Sequence, residues 1–324
     1  MLQLQTRGTR IPTGATLTPC DKVSRGSLSI PVGPSGRGLS VLKRLAALIV
    51  VTAVCLAAIP AVRTRPPVTA STTDSVPDSR VSTSTEFEKL LTTDPVAVLE
   101  ASLARFQREV RGYSCILQKQ ESLAGKPGAV EVIIHAVREE PFAVYMFWEQ
   151  GEGSAKATLY VRGDNGGRMK VKTRFLVLDT DPNGILPRKS SRYSIEDAGI
   201  ANGTRRSLRA WRAAREAGTL NVTYLGKQAI PELNGRECHV LKRVCTPAEV
   251  DQFRMTDPGI RNPNEFPHEA FSTITIMLDT ETWMQIGSVL HRADGSLLGA
   301  YYFRDVVVNP AFAADQFTPG ILKK

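Results

Sequence analysis

No signature of metal binding or nucleophilic catalysis runs through this sequence. Its four histidines are His135, His239, His268 and His291. None has HExxH spacing, and no Cys-x-x-Cys pair accompanies them. A GxSxG elbow and a phosphate-binding loop are missing as well; Gly163-Asp164-Asn165-Gly166-Gly167 reads as a hairpin turn. Zinc chemistry, an activated serine and nucleotide hydrolysis are therefore left without residues to perform them. Cys115 served by a distant histidine is the residual catalytic alternative. Five cysteines in 324 residues are too few for a disulfide-stapled scaffold. Strand–helix–strand alternation is absent too, which argues against a parallel sheet. No repeat of about 20–50 residues appears.

Acidic residues are scarce at the start of the chain. The formal net charge is +9, which invites a nucleic-acid reading. Up to Arg65, however, nine Lys and Arg stand against the single acid Asp21, and the remainder holds 32 basic and 31 acidic residues. The basicity belongs to one terminal segment, and no nucleic-acid partner is expected.

That segment contains the one long uncharged run. Leu45–Val62 reads LAALIVVTAVCLAAIPAV behind Lys43 and Arg44. A basic flank before an apolar core describes a signal peptide or a membrane anchor. Cys55 lacks the small preceding residue usual for lipidation. Residues 1–40 are rich in Gly, Ser, Thr, Pro and Arg, and read as a disordered tail or as lying ahead of a true start near Val41. Residues 63–85 read as a Pro/Ser/Thr linker. The expected order is thus tail (1–40), signal or anchor (41–62), linker (63–85) and one folded domain (86–324), placed in the periplasm or cell envelope.

The folded part reads as mainly β. Asp94-Pro95 supplies an N-cap oxygen and a proline at the first helical position. Leu99, Leu103, Phe106 and Val110 then form one apolar stripe. Segments of strand character follow: Tyr113–Leu123, Ala129–Val137, Phe142–Glu149, Ala155–Arg162 and Arg168–Leu178. The last alternates Met169, Val171, Thr173, Phe175 and Val177 against Lys170, Lys172 and Arg174. After a polar interruption at Asp179–Ser194 comes a basic helix, Thr204–Ala217. Strands resume at Leu220–Gly226, Arg236–Val244, Phe271–Leu278, Trp283–His291 and Leu297–Val308, with a Pro-rich loop at Thr246–Glu269. Short links imply an antiparallel meander, either one curved sheet or an open barrel, with an N-terminal amphipathic helix and an inserted basic helix.

Two strands are apolar on both faces. Phe142, Val144, Met146 and Trp148 point one way, and Ala143, Tyr145 and Phe147 the other. Tyr301 and Phe303 oppose Ala300, Tyr302 and Val306. A sheet with one wet face needs only one apolar side. Both sides are therefore covered, or one side lines a cavity. Cys115 can be bridged to Cys238 or Cys245, or all three are small buried residues. His268-Glu269 reads as a solvated loop pair. Between Arg162 and Arg215 thirteen basic residues face five acidic ones, while from Thr246 to Gln285 the balance reverses. The two halves satisfy each other or stay solvated; alternatively the basic half forms a rim for anionic lipid headgroups or acidic cell-wall polymers.

Three pieces of the chain resemble the periplasmic lipoprotein carrier LolA and its relatives. They are Glu140-Pro141-Phe142 leading into Met146–Trp148, the strand pair around Asn165-Gly166, and the run Tyr302-Phe303-Arg304-Asp305-Val306-Val307-Val308-Asn309-Pro310 followed by Phe312 and Phe317. The stretch Tyr113-Ser114-Cys115 … Lys119-Gln120-Glu121 is similar to a bacterial envelope family of unknown function with that predicted fold. The resemblance spans roughly Asp94 to Pro319. It implies a half-barrel whose concave side shields a lipoprotein acyl chain beneath helices. The basic helix, the long loop and a retained anchor are departures from the compact carriers. A tethered chain cannot shuttle between membranes, so the fold carries over better than transport. The resulting expectation is a non-enzymatic envelope protein, without cofactor or metal, that holds a lipid or lipoprotein acyl chain. Val144, Met146, Trp148, Phe175, Tyr301 and Phe303 are its candidate lining. The alternative is a packed structural or protein-interaction domain with no small ligand.

Overall fold

The computed structural model describes residues 83–255 and 267–323. The signal or anchor segment and most of the linker lie outside the described residues. Among the described residues no helix is long and apolar enough to cross a membrane.

Thr83 opens the domain with a capping box: its hydroxyl accepts the Glu86 N–H while the Glu86 carboxylate accepts the Thr83 N–H. This starts α1 (Ser84–Thr93), so the folded domain begins before residue 86. Asp94 then accepts the N–H groups of Val96 and Ala97 and starts α2 (Pro95–Glu109), as its Asp-Pro signal requires.

Strands β1 (Gly112–Leu123), β2 (Lys126–Pro127), β3 (Glu131–Arg138), β4 (Ala143–Gln150), β5 (Ala157–Val161), β6 (Met169–Lys172) and β7 (Val177–Thr180) follow. Next come α3 (Ile185–Ser190) and α4 (Ile200–Glu216). The chain finishes with β8 (Asn221–Ile230), β9 (Arg236–Val250), β10 (Ala270–Asp279), β11 (Gln285–His291) and β12 (Leu297–Val308). The strands form one 12-stranded open antiparallel sheet in the order β7-β6-β5-β4-β3-β1-β12-β11-β10-β9-β8, with β2 paired to β1. The first long strand thus pairs with the last at the centre, and two meanders spread outward as wings.

The helices cover one face. Over the β8–β11 wing, Phe87 of α1 stacks on Trp283 with ring centroids 4.3 Å apart, and both are buried. The Ser102 hydroxyl of α2 donates to the Trp283 carbonyl at 2.6 Å. Leu99, Leu103, Phe106 and Val110 are buried as their stripe predicts. Helix α4 buries Leu208 and Trp211 in the same core. Its N-terminus has no side-chain cap of its own, because Gly199 precedes it at φ +101°. The cap comes from the sheet: the Ile200 N–H donates to the Tyr113 hydroxyl at 2.8 Å. Reading the helix from Thr204 therefore missed its first turn. On the opposite face of the other wing, the C-terminal turn Pro319–Lys323 packs Leu322 against Ala157 and Leu159. The outer face of that wing is thus covered around β5, while Phe147 of β4 stays exposed, and the inner face of β4 turns toward the helices.

Three expectations need correction. Arg168–Leu178 is not one strand but the hairpin β6–β7. The Thr173 hydroxyl accepts the Phe175 and Leu176 N–H groups and turns the chain without Gly, Pro or Asn. Phe175 consequently sits at the hairpin tip, 85% exposed. The bridge from Cys115 to Cys238 or Cys245 does not form; all three are buried free thiols. Cys115 is on β1 and the other two are on β9, four strand spacings away, about 19 Å. A disulfide needs Cα atoms within about 7 Å. Glu269, read as solvated, is buried at 4% exposure.

A roofed cavity with an apolar floor and a charged end

Strand register dictates what lies under the helices. Phe303, Leu117, Ile133 and Trp148 are direct cross-strand neighbours on β12, β1, β3 and β4. They form one apolar row. Beside it runs a second row, Cys115–His135–Met146–Thr158–Val171–Leu178, which crosses to the β7 edge. A third row, Ser288–Tyr301–Lys119–Glu131, is polar. Above these rows lies a cavity of about 360 Å³. Its roof is Gly203, Arg206, Ser207, Ala210 and Trp211 of α4, Leu186 and Pro187 of α3, and Tyr193 and Ile195 between the helices. A sheet that was simply packed against its helices would leave no such space.

Four of the six candidate lining residues meet there: Met146, Trp148, Tyr301 and Phe303. Val144 has the same strand parity but is fully buried in the core beyond the cavity. Phe175 is excluded by the Thr173 turn. A β-bulge at Asp305, φ +53°, shifts the β1–β12 register beyond Phe303.

The charged end was not legible as a site. Lys119 lies 3.1 Å from Glu121 and 3.5 Å from Glu131. Tyr301 donates to Glu121 at 2.6 Å, and the Trp148 indole donates to Glu131 at 2.6 Å. The Arg192 N–H also reaches Glu121, while its guanidinium pairs with Glu269 at 2.6 Å; Arg254 lies 3.4 Å from the same carboxylate. The Tyr193 hydroxyl bonds to Asp251, and the Arg206 guanidinium stacks 4.3 Å over the Tyr193 ring. Burial alone would raise the Glu121 carboxyl, but Lys119 and the Tyr301 bond outweigh it and hold its pKa below the usual range. Burial opposes the Lys119 charge too, and the two carboxylates reverse that, so its pKa is raised. Both stay ionised in a buried setting. Arg243 also lines the cavity; it pairs with Glu249, yet its Nε is buried without a hydrogen-bond partner. The inward polar residues Lys119 and Glu121, in step with Leu117, were the available sequence signal. Glu269, Arg192 and Asp251 are brought in from distant chain positions and had none.

The residual catalytic pair does meet. The Cys115 sulfur lies 3.7 Å from His135 Nδ1. Its chemistry runs the wrong way for a nucleophile: burial pushes the thiol pKa well up and pulls His135 down to about 4. No group of three or more metal-ligating side chains occurs among the described residues.

A family model described as "Protein of unknown function (DUF1571)" matches residues 110–321. No curated protein matches the chain. Similar solved structures include the lipoprotein LppX of Mycobacterium tuberculosis, at 14% identity and TM-score 0.39, covering 68% of this chain and 99% of that one. The MucA/MucB complex of Pseudomonas aeruginosa matches at 15% identity and TM-score 0.38, covering 71% of this chain and 62% of that one. A LolA superfamily protein from Nitrosomonas europaea matches at 9% identity and TM-score 0.29, covering 69% and 98%.

Proposed function

We infer that this chain, which belongs to the DUF1571 family, is a non-enzymatic binding protein of the cell envelope that takes a lipid or lipoprotein acyl chain into its roofed cavity. The observation that carries this reading is the cavity itself: about 360 Å³ under α4, with an apolar cross-strand row as floor and fixed charge at one end. That is the composition of a small-molecule pocket, mostly apolar with a few placed polar groups. Each methylene transferred from water to the floor contributes about 0.8 kcal/mol, so burying eight supplies roughly 6 kcal/mol before ordering costs. The unpartnered Arg243 Nε supports an occupant with an acceptor at its head, a carboxylate or phosphate ester. The uncharged Leu45–Val62 run supports an extracytoplasmic, secreted or membrane-tethered setting, with the membrane as second partner.

The test is native mass spectrometry of the full chain purified from envelope-targeted cells, followed by uptake of a fluorescent fatty acid. A co-purified acyl species is expected. Met146→Arg places a charge in the middle of the floor and should abolish probe uptake while the circular dichroism of the sheet is retained. A chain that arrives empty and takes up no probe would overturn the reading in favour of a protein-interaction domain. Unchanged affinity in Met146→Arg would overturn the assigned lining.

A further inference from the structure

The β6–β7 hairpin tip and α3 carry an unusual concentration of unburied apolar surface. Among the described residues eleven large hydrophobic side chains are exposed, and six of them lie within twelve positions. They are Phe175 at 85%, Leu176 at 51%, Val177 at 47%, Leu178 at 41%, Ile185 at 67% and Leu186 at 63%. Four consecutive exposed positions mean that neither face of the tip and β7 is closed, although Met169 of β6 is buried in the core, so alternation does not sort these residues into a dry and a wet side. Leu178 and Leu186 also line the cavity, so the patch is continuous with its mouth.

The charge around the patch is one-sided. From Arg168 to Ser190 there are six basic residues, Arg168, Lys170, Lys172, Arg174, Arg188 and Lys189, against Asp179 and Asp181. Lys170 already neutralises Asp179 at 2.8 Å. The Arg174 guanidinium lies 5.4 Å from the Phe175 ring centre, beside the apolar tip rather than over acidic partners. Exposed large apolar side chains ringed by Lys and Arg are complementary to an interface that is apolar below and anionic above.

We propose that the β6–β7 tip together with α3 is a membrane-docking surface that seats the rim of the cavity on an anionic lipid bilayer. Phe175, Leu176, Ile185 and Leu186 enter the acyl boundary, and Lys172 and Arg174 meet lipid phosphates. A bilayer fits better than a second copy of the chain, because a symmetric self-contact would oppose a net +4 segment to itself. The proposal does not depend on what occupies the cavity.

Phe175→Trp in the full chain reads the contact directly. The three native tryptophans report little from this site: Trp211 and Trp283 are buried, and Trp148 lines the cavity. The chain is mixed with phosphatidylcholine vesicles containing about 30% phosphatidylglycerol with brominated acyl chains. A tether at Leu45–Val62 would hold the chain on anionic and zwitterionic vesicles alike, so the anionic-lipid dependence of the quenching separates it from docking through position 175. Expected is quenching well beyond that of the unsubstituted chain, lost in purely zwitterionic vesicles and suppressed by about 0.5 M salt. Lys172→Gln and Arg174→Gln should each weaken the lipid dependence about fivefold. Quenching equal to that of the unsubstituted chain would overturn the proposal. So would a blue shift that follows protein concentration without lipid, because a second copy would then cover the patch.

Discussion

Phe87, on the helix over one wing of the sheet, and Phe175, at the tip of the other wing, are the same residue type used in opposite ways. Phe87 is fully buried and stacks on Trp283 beneath α1; Phe175 is 85% exposed at a hairpin tip. The β8–β11 wing spends its apolar residues on holding the helices down. Towards the β4–β7 wing the roof stands off the floor over a cavity, which reaches back under α4 to Ser288 of β11 and Arg243 of β9, and the outermost apolar residues of this wing are left in water. The lesson concerns hydrophobic pattern: alternation says which residues share a face, not whether that face is closed. Closure is decided by where the covering helices land. Here α1 and α2 land on one wing, while α3 and the first turns of α4 bridge the other.

Substitutions and pH distinguish the two wings. The largest expected effect is Phe87→Ala, which removes a fully buried ring from the closed wing and should cost about 3–5 kcal/mol in denaturant unfolding. A loss below about 1 kcal/mol would mean that the closed wing is not the stabilising one. Next is pH at the seam between the wings, where His135 is buried on β3. Its pKa falls to about 4 from the ordinary 6.5 because burial disfavours the charged ring. The unfolded chain therefore binds this proton first as pH drops. Stability contributed above pH 6.5 is lost on the way down to pH 4, by roughly 3 kcal/mol. His135→Leu should flatten that part of the pH–stability curve; an unchanged slope would assign it to other groups. The smallest effect is Phe175→Ser, which should move stability by no more than about 0.5 kcal/mol. A larger loss would show that the tip is packed in solution.

The fold was legible where its signals are local. Asp94-Pro95 marked α2, and the parity of Met146 and Trp148, like that of Tyr301 and Phe303, put those four on the cavity face. The Asn165-Gly166 turn lies between β5 and β6, where it was read. Helix α1 carried a capping-box signature, Thr83 to Glu86, hidden at the end of a Ser/Thr-rich linker. The Thr173 turn was illegible because a threonine hydroxyl replaced the usual turn residues inside an otherwise regular alternation, and Phe175 was misplaced with it. The charged end was illegible for another reason. Glu121, Arg192, Asp251 and Glu269 are pairwise remote in the chain, and no spacing rule connects them.

The bond between the Tyr113 hydroxyl and the Ile200 N–H has a mechanical consequence. A side chain at residue 199 has no room, since a Cβ there would lie 2.6 Å from that hydroxyl oxygen. The core strand β1 thus caps the helix that roofs the cavity, and α4 cannot lift at this end without losing that cap. On the proposed function, a bulky guest would enter at the far side, between α3 and the edge strand β7, where Leu178 and Leu186 line the cavity. Like a lid riveted along one seam, the roof would then set the direction of entry by where it cannot move.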